Sequence, residues 1–199
     1  MTTNVQIAGL VLAGGKSTRF GAPKGQALLG EASLIVHVGR ALQLHVSTLA
    51  IAGDHPEPDL NATALFDPPG APQGPLAGVL SGLAWARQRG FNWLATAPCD
   101  APLIPGDLVA RLLAAGTSSG ARLALASTSE GWQPLCALWR TDLAEELRAA
   151  LAAGRHPSVH RFAEAAGVCI VPFEDADAFL NINTPDDLAQ AKALLAQRS

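Results

Sequence analysis

Residues Gln6 to Ala13 (QIAGLVLA) form a nearly unbroken apolar run that stops at Gly14-Gly15. A short run without polar alternation fits a strand buried on both faces of a parallel sheet, since a strand with one wet face would alternate. The rest of the chain supplies partners for such a strand. Leu34 to Leu44 carries apolar residues at helical spacing, and Val46 to Ala52 returns to a strand pattern that ends at Gly53-Asp54. The proline-rich stretch His55 to Pro75 holds one short strand, Thr63 to Phe66, just before Asp67. Leu76 to Arg89 reads as a helix opened by Gly74-Pro75 and stopped by Gly90. Asn92 to Ala97 is a further buried strand ending at Pro98-Cys99-Asp100.

Helical spacing resumes over Asp107 to Ala115, followed by strands Arg122 to Ser127 and Pro134 to Trp139 on either side of a polar connection, Ser129 to Gln133. Thr141 to Ala153 reads as a helix with Thr141 as N-cap and Gly154 as its stop. A short helix near Ser158 to Ala166, a strand Val168 to Pro172 and a helix Pro185 to Ala196 complete the series. This alternation argues for a layered α/β architecture with a mainly parallel sheet. We expect one domain over residues 1–199.

With 49% hydrophobic and 16% charged residues, the chain lies far from the composition of disordered proteins and can bury a sizeable core. A net charge of −3 without a basic stretch gives no source of attraction for nucleic acid phosphates. Cys99, Cys136 and Cys169 are odd in number and widely spaced, which fits neither a disulfide framework nor a zinc knuckle. A reducing cytoplasm is the expected setting. The opening Met-Thr-Thr-Asn-Val-Gln-Ile lacks the pattern of a secretory signal, and no apolar run is long enough to predict a membrane span.

The densest group of unusual residues follows the first strand: Leu12-Ala13-Gly14-Gly15-Lys16-Ser17-Thr18-Arg19-Phe20-Gly21-Ala22-Pro23-Lys24. Adjacent glycines let main-chain N–H groups approach an anion closely, and Arg19 and Lys24 add positive charge suited to a polyphosphate. The plainer reading is a glycine turn with two solvated cations. Gly15-Lys16-Ser17 mimics the end of a Walker A motif, but Leu10 stands where that motif needs glycine. The GxGxxG dinucleotide pattern is absent as well. The loop is therefore a phosphate binder of another type.

Asp100, a carboxylate at the end of a core strand, sits where open α/β sheets place ligands. It is a hard ligand suited to Mg²⁺, or else a cap for the helix after Pro105. Asn181 and Asn183 alternate on what reads as a short strand, so both can face one way; the plainer reading is a turn with a helix cap at Thr184. His156 and His160 are four apart, but Pro157 lies between them and no third ligand is evident for zinc.

The segment Leu12 to Lys24 resembles the L-A-G-G-x-S-x-R-M/F-G-x-x-K signature of nucleotidyltransferases acting on small phosphorylated substrates. Gly74-Pro75-Leu76-Ala77-Gly78, Pro98-Cys99-Asp100-Ala101-Pro102 and Asn181-Ile182-Asn183-Thr184-Pro185-Asp186-Asp187-Leu188 continue the match in order. Across nearly the whole chain, the likeness is to the molybdenum cofactor guanylyltransferase branch.

That resemblance implies a three-layer Rossmann-like nucleotidyltransferase fold and a Mg²⁺-dependent transfer of GMP from GTP to molybdopterin or its molybdenum-loaded form. It also implies roles. Leu12, Ala13, Gly14, Gly15, Arg19 and Lys24 would take the nucleotide and its triphosphate, and Asp100 would hold Mg²⁺. Asp67 would contact ribose or base, Gly74 the purine, and Asn181 and Asn183 the pterin or the metal site. Cofactor-delivery proteins or apo-molybdoenzymes are the macromolecular partners it suggests.

The chain departs from the family pattern at two places. Ala52 stands where the family has an asparagine that contacts GTP, leaving a main-chain group or Asp54 to compensate. In Gly154-Arg155-His156-Pro157-Ser158-Val159, Arg155 is displaced from the arginine that faces the pterin. The alternatives are a cytidylyltransferase for the same pterin, a sugar-phosphate or alcohol-phosphate nucleotidyltransferase, and a noncatalytic carrier of the cofactor. In the family, Leu-Ala-Gly-Gly goes with GTP and Leu-Ala-Ala-Gly with CTP, which favours GTP.

Overall fold

A computed structural model describes residues 6–14, 24–53, 57–66, 74–152 and 157–198, without the side chain of Lys24. Gly15, Arg19, Asp54, Asp67, Gly154, Arg155 and His156 lie outside the described residues. In chain order the elements are β1 (Ile7–Leu12), β2 (Leu28–Leu29), β3 (Ala32–Ser33), α1 (Leu34–Gln43), β4 (Thr48–Ala52), β5 (Ala62–Leu65), α2 (Pro75–Gln88) and β6 (Trp93–Pro98). There follow α3 (Leu108–Ser119), β7 (Leu123–Thr128), β8 (Gly131–Arg140), α4 (Ala144–Ala152), α5 (Val159–Ala165), β9 (Cys169–Pro172) and α6 (Pro185–Arg198).

Seven strands form one sheet in the order β5-β4-β1-β6-β8-β7-β9, while β2 and β3 pair as a separate hairpin. Only β8 runs against its neighbours, pairing antiparallel with β6 and β7. The expectation of a mainly parallel sheet therefore holds, with β1 in its interior between β4 and β6 and all six of its residues buried.

The alternation of side chains along each strand builds two apolar layers. Ile7, Val11, Leu49, Ile51, Trp93 and Ala95 face the layer closed by Ile35, Val38 and Leu42 of α1 and by Leu108 and Leu112 of α3. Leu10, Leu12, Ala50, Leu94 and Leu125 face the opposite layer, closed by Val79 and Leu83 of α2, Leu147 of α4 and Phe162 of α5. The result is a helix–sheet–helix sandwich. A third cluster of Leu29, Leu34, Leu103, Ile182 and Ala191 joins the small hairpin to α6.

Three local expectations are corrected. β8 begins at Gly131 rather than Pro134, because Gly131, Trp132 and Gln133 pair with Thr128, Ser127 and Ala126 of β7. The ladder then skips from the Ala126–Gln133 pair to the Leu125–Ala137 pair, leaving Pro134, Leu135 and Cys136 in a bulge. A proline without an N–H donor is tolerated in a central strand at such a bulge.

Thr141 does not cap α4. It starts a 3₁₀ turn, Thr141–Leu143, and its hydroxyl donates to the Phe91 carbonyl at 2.8 Å. Residues 181–183 form no strand, although the buried Ile182 between Asn181 and Asn183 keeps the expected alternation.

Candidate functional site

The order β5-β4-β1-β6 means that the chain leaves β1 to one side and returns on the other at β6. Where strand order reverses in this way, the loops after the two strands part and leave a crevice at their carboxyl ends. The two loops in question carry Gly14 and Asp100. The two motifs separated in sequence thus meet in space.

Main-chain hydrogen bonds hold this edge. The Cys99 N–H donates to the Leu12 carbonyl at 3.0 Å, which ties the start of the Asp100 loop to the end of β1. The Ala13 N–H donates to the Ala52 carbonyl at 3.2 Å, which ties the glycine loop to β4. Leu12 and Ala13 are buried, Gly14 is exposed, and among the described residues a Cβ placed on Gly14 would meet nothing within 4 Å. A glycine here lets a ligand approach its main chain closely.

A 3₁₀ turn at Lys24–Gln26 lies against the same edge. A Cβ on Gly25 would fall 2.7 Å from two Ile35 side-chain carbons and 3.4 Å from Cys99 Sγ. Glycine is required for that approach, which brings the main chain next to Lys24 against the residue preceding Asp100.

Asp100 is half-buried with its Oδ1 shielded from solvent. Its carbonyl accepts from the Ile182 N–H at 2.8 Å, so the Asn181–Asn183 segment is fastened directly to the Asp100 loop. Nearby, burial pushes the Cys136 thiol well above its ordinary range, and the Asp100 carboxylate adds to the rise. Cys136 is therefore a neutral thiol at physiological pH. Cys99 is buried and Cys169 half-buried.

Ala52 points away from any nucleotide-facing role for its side chain. It is 6% exposed within the α2-side core, and a Cβ on Gly78 would come 3.4 Å from the Ala52 methyl. What Ala52 gives the site is its carbonyl, the acceptor for Ala13. Gly74 precedes α2 with φ +122°, a left-handed conformation that favours glycine, and Pro75 follows at the first helical position. Gly74→Ala is expected to cost about 1–2 kcal/mol of stability through this backbone strain. An unchanged denaturation midpoint would count against it.

Of the sequence-predicted site residues, the structure brings together Leu12, Ala13, Gly14, Asp100, Asn181 and Asn183, with the main chain of Lys24 close by. Gly74 lies at the start of the helix that packs over β1 and β4. Gly15, Arg19 and Asp67 are outside the described residues. His160 stacks on Trp132, ring centroids 5.2 Å apart and 6° from parallel. Among the described residues no group of three His, Cys, Asp or Glu side chains gathers around a metal position, and no helix is long and apolar enough to cross a membrane.

The sequence reading passed over Gly25 and, although Ile182 and Asp187 stand in the last matching motif, gave neither of them a role. Gly25 and Ile182 matter through contacts distant in sequence. Asp187 had a local signal, the Thr184-Pro185-Asp186-Asp187 spacing of a capping box.

Comparison with known proteins agrees with this geometry. A sequence model of the MobA-like NTP transferase domain matches residues 9–168. A molybdenum cofactor guanylyltransferase of Cereibacter sphaeroides is 42% identical over 195 residues, covering 96% of this chain and 98% of that protein. One from Rhodopseudomonas palustris is 36% identical, covering 93% and 90%.

Among solved structures, the molybdopterin-guanine dinucleotide biosynthesis protein A of Archaeoglobus fulgidus superposes with a TM-score of 0.76 at 22% identity, over 96% of this chain and 99% of that one. The 2-C-methyl-D-erythritol 4-phosphate cytidylyltransferase of Thermus thermophilus gives 0.71 at 19% identity, over 94% and 98%. These structures share the fold, and the sequence matches settle the closer kinship: the chain belongs to the MobA-like NTP transferase family.

Proposed function

We propose that this chain transfers GMP from GTP to the terminal phosphate of molybdopterin, forming the guanine dinucleotide cofactor and pyrophosphate. The observation that carries the reading is the joined crevice. Gly14 at the end of β1 and Asp100 after β6 are linked through the Cys99–Leu12 hydrogen bond, and Asn181 and Asn183 are linked to Asp100 through Ile182. Full-length relatives named molybdenum cofactor guanylyltransferase support the choice of substrates.

In this reaction an oxygen of the acceptor phosphate attacks the α-phosphorus of GTP. The bond from that phosphorus to the bridging oxygen of the β-phosphate breaks, and pyrophosphate leaves with the electron pair. A phosphate monoester loses its second proton near pH 6, so its oxygen is already nucleophilic at neutral pH and needs no general base. The protein's work is therefore positioning and charge neutralisation. We assign the main chain at Leu12 to Gly15, with Arg19 and Lys24, to the triphosphate. Asp67 and Gly74 take the nucleoside, and Asn181 and Asn183 take the acceptor.

The donor chemistry fits Mg²⁺. That ion prefers oxygen ligands, keeps several waters, and is commonly bound through one or two carboxylates plus substrate phosphates, so the single carboxylate of Asp100 suffices. Bound there, it would neutralise charge on the phosphates. We place the reaction in the cytoplasm, where Cys99, Cys136 and Cys169 stay reduced.

The test is pyrophosphate release from purified protein with Mg²⁺, molybdopterin and each of GTP, CTP, ATP and UTP. GTP is expected to exceed CTP in kcat/KM by about a hundredfold or more. Equal or better turnover of CTP would assign the chain to cytidylyl transfer. No release with any pair would revive a carrier role.

A further inference from the structure

Residues 181–183 belong to no strand, so other contacts must set the direction of the two asparagine side chains. One is Ile182, fully buried among Leu29, Leu34, Leu103 and Ala191, with its N–H on the Asp100 carbonyl at 2.8 Å. The other is Asp187. Its Oδ2 accepts from the Asn183 N–H and from the Thr184 N–H, both at 2.8 Å, while Thr184 Oγ1 accepts from the Asp187 N–H at 3.2 Å. This is a reciprocal cap on the first turn of α6. We propose that Asp187 is a positioning residue for the acceptor substrate, clamping the main chain of Asn183 so that Asn183 and Asn181 meet the acceptor beside Asp100.

The inference rests on the proposed function, which puts the acceptor at these asparagines. Two physical effects make the clamp matter. A carboxylate accepting two N–H groups forms charge-assisted bonds stronger than a neutral pair, and the positive end of α6 favours its charge. Without it, Asn183 and Thr184 regain backbone freedom, and an amide held on a loose backbone loses its orientation. The same two N–H groups, left open at a helix N-terminus, would also attract the acceptor's phosphate to the wrong place. Asp187 occupies both of them and keeps that end of the helix acidic, next to Asp186.

The experiment compares the full chain with Asp187→Ala and Asp187→Asn, measuring kcat, KM for molybdopterin, KM for GTP and thermal melting. Asp187→Ala is expected to raise the molybdopterin KM about tenfold while the GTP KM stays within about twofold. Asp187→Asn, which keeps an accepting oxygen, is expected to recover most of that loss. A purely structural cap would lower the folded fraction, reducing apparent kcat and leaving both KM values unchanged. That pattern overturns the proposal, as does an equal rise in both KM values. Should Asp187→Ala not fold, the Asn variant carries the test, with a rise of about two- to threefold confined to molybdopterin supporting the clamp and no change overturning it. A wild-type protein that releases no pyrophosphate from GTP and molybdopterin overturns the functional reading and this inference with it, whereas an active wild type with an insensitive Asp187 overturns the inference alone.

Discussion

Asp100→Asn is expected to lower turnover about a thousandfold while the melting temperature moves by only a few degrees. Asparagine matches the shape of aspartate but removes the charge, and the chemistry of this site depends on charge. The backbone of the loop is held by groups that the substitution leaves intact. The Cys99 N–H reaches the Leu12 carbonyl at 3.0 Å, the Ala101 N–H the Pro98 carbonyl at 3.3 Å, and the Ile182 N–H the Asp100 carbonyl at 2.8 Å. None of these uses the carboxylate.

The buried neighbour Cys136 cannot replace that charge either. Its thiol, whose titration Asp100 influences, is pushed up by burial and held neutral. Among the described residues no group of three or more His, Cys, Asp or Glu side chains gathers to hold the ion in its stead. Parallel measurement of pyrophosphate release and thermal melting checks the prediction. A variant with normal Mg²⁺-dependent turnover would sink the assignment, and one that unfolds would show that the carboxylate matters first to the fold.

Much of the sheet was legible because burial on both faces writes itself into sequence. Gln6 to Ala13 and Asn92 to Ala97 are mostly apolar runs, and the structure places β1 and β6 there within a residue or so. The features that escaped depend on partners distant in the chain. Ser129 to Gln133 looks like a polar loop because backbone pairing of Gly131, Trp132 and Gln133 with β7 leaves no hydrophobic pattern. Thr141 has the composition of an N-cap, but its hydroxyl finds the Phe91 carbonyl instead.

The site shows the same division. Gly14 and Asp100 could be picked out by residue type and by position at strand ends, but the strand order that joins them is seen only in the fold. The tie from Asp100 to Ile182 is a single main-chain bond, and no side-chain pattern announces it. Ala52 was readable as a departure from the family. Its consequence was not, because burial of its methyl against α2 and use of its carbonyl by Ala13 are facts of packing.

Thr96→Val is expected to destabilise the fold by about 2–4 kcal/mol, although valine has nearly the same shape and suits a strand. The paired register of β6 and β8 ends at Thr96 opposite Ala137, just where β8 enters its bulge. The Thr96 hydroxyl stands in for the interrupted ladder. It donates to the Leu135 carbonyl at 2.8 Å and accepts from the buried Trp139 indole N–H at 2.9 Å. Trp139 is fully buried, so its N–H has no route to water.

Valine would leave both the indole donor and the bulge carbonyl unmatched, each at a cost of about 1–3 kcal/mol when buried. Thr96→Ser keeps the hydroxyl and should lose only about 1 kcal/mol, for its missing methyl. Trp139→Phe removes the indole donor, so adding Thr96→Val to it should cost less than Thr96→Val alone costs the wild type. Guanidinium unfolding of the four variants, compared at constant m-value, measures these differences. A Thr96→Val midpoint within error of the wild type would show that the hydroxyl does not hold the bulge, and strictly additive losses in the double variant would show that the indole gains nothing from it. The bulge carries Cys136 alongside the strand that presents Asp100, so the same variant tests how far the site depends on a polar contact inside the sheet.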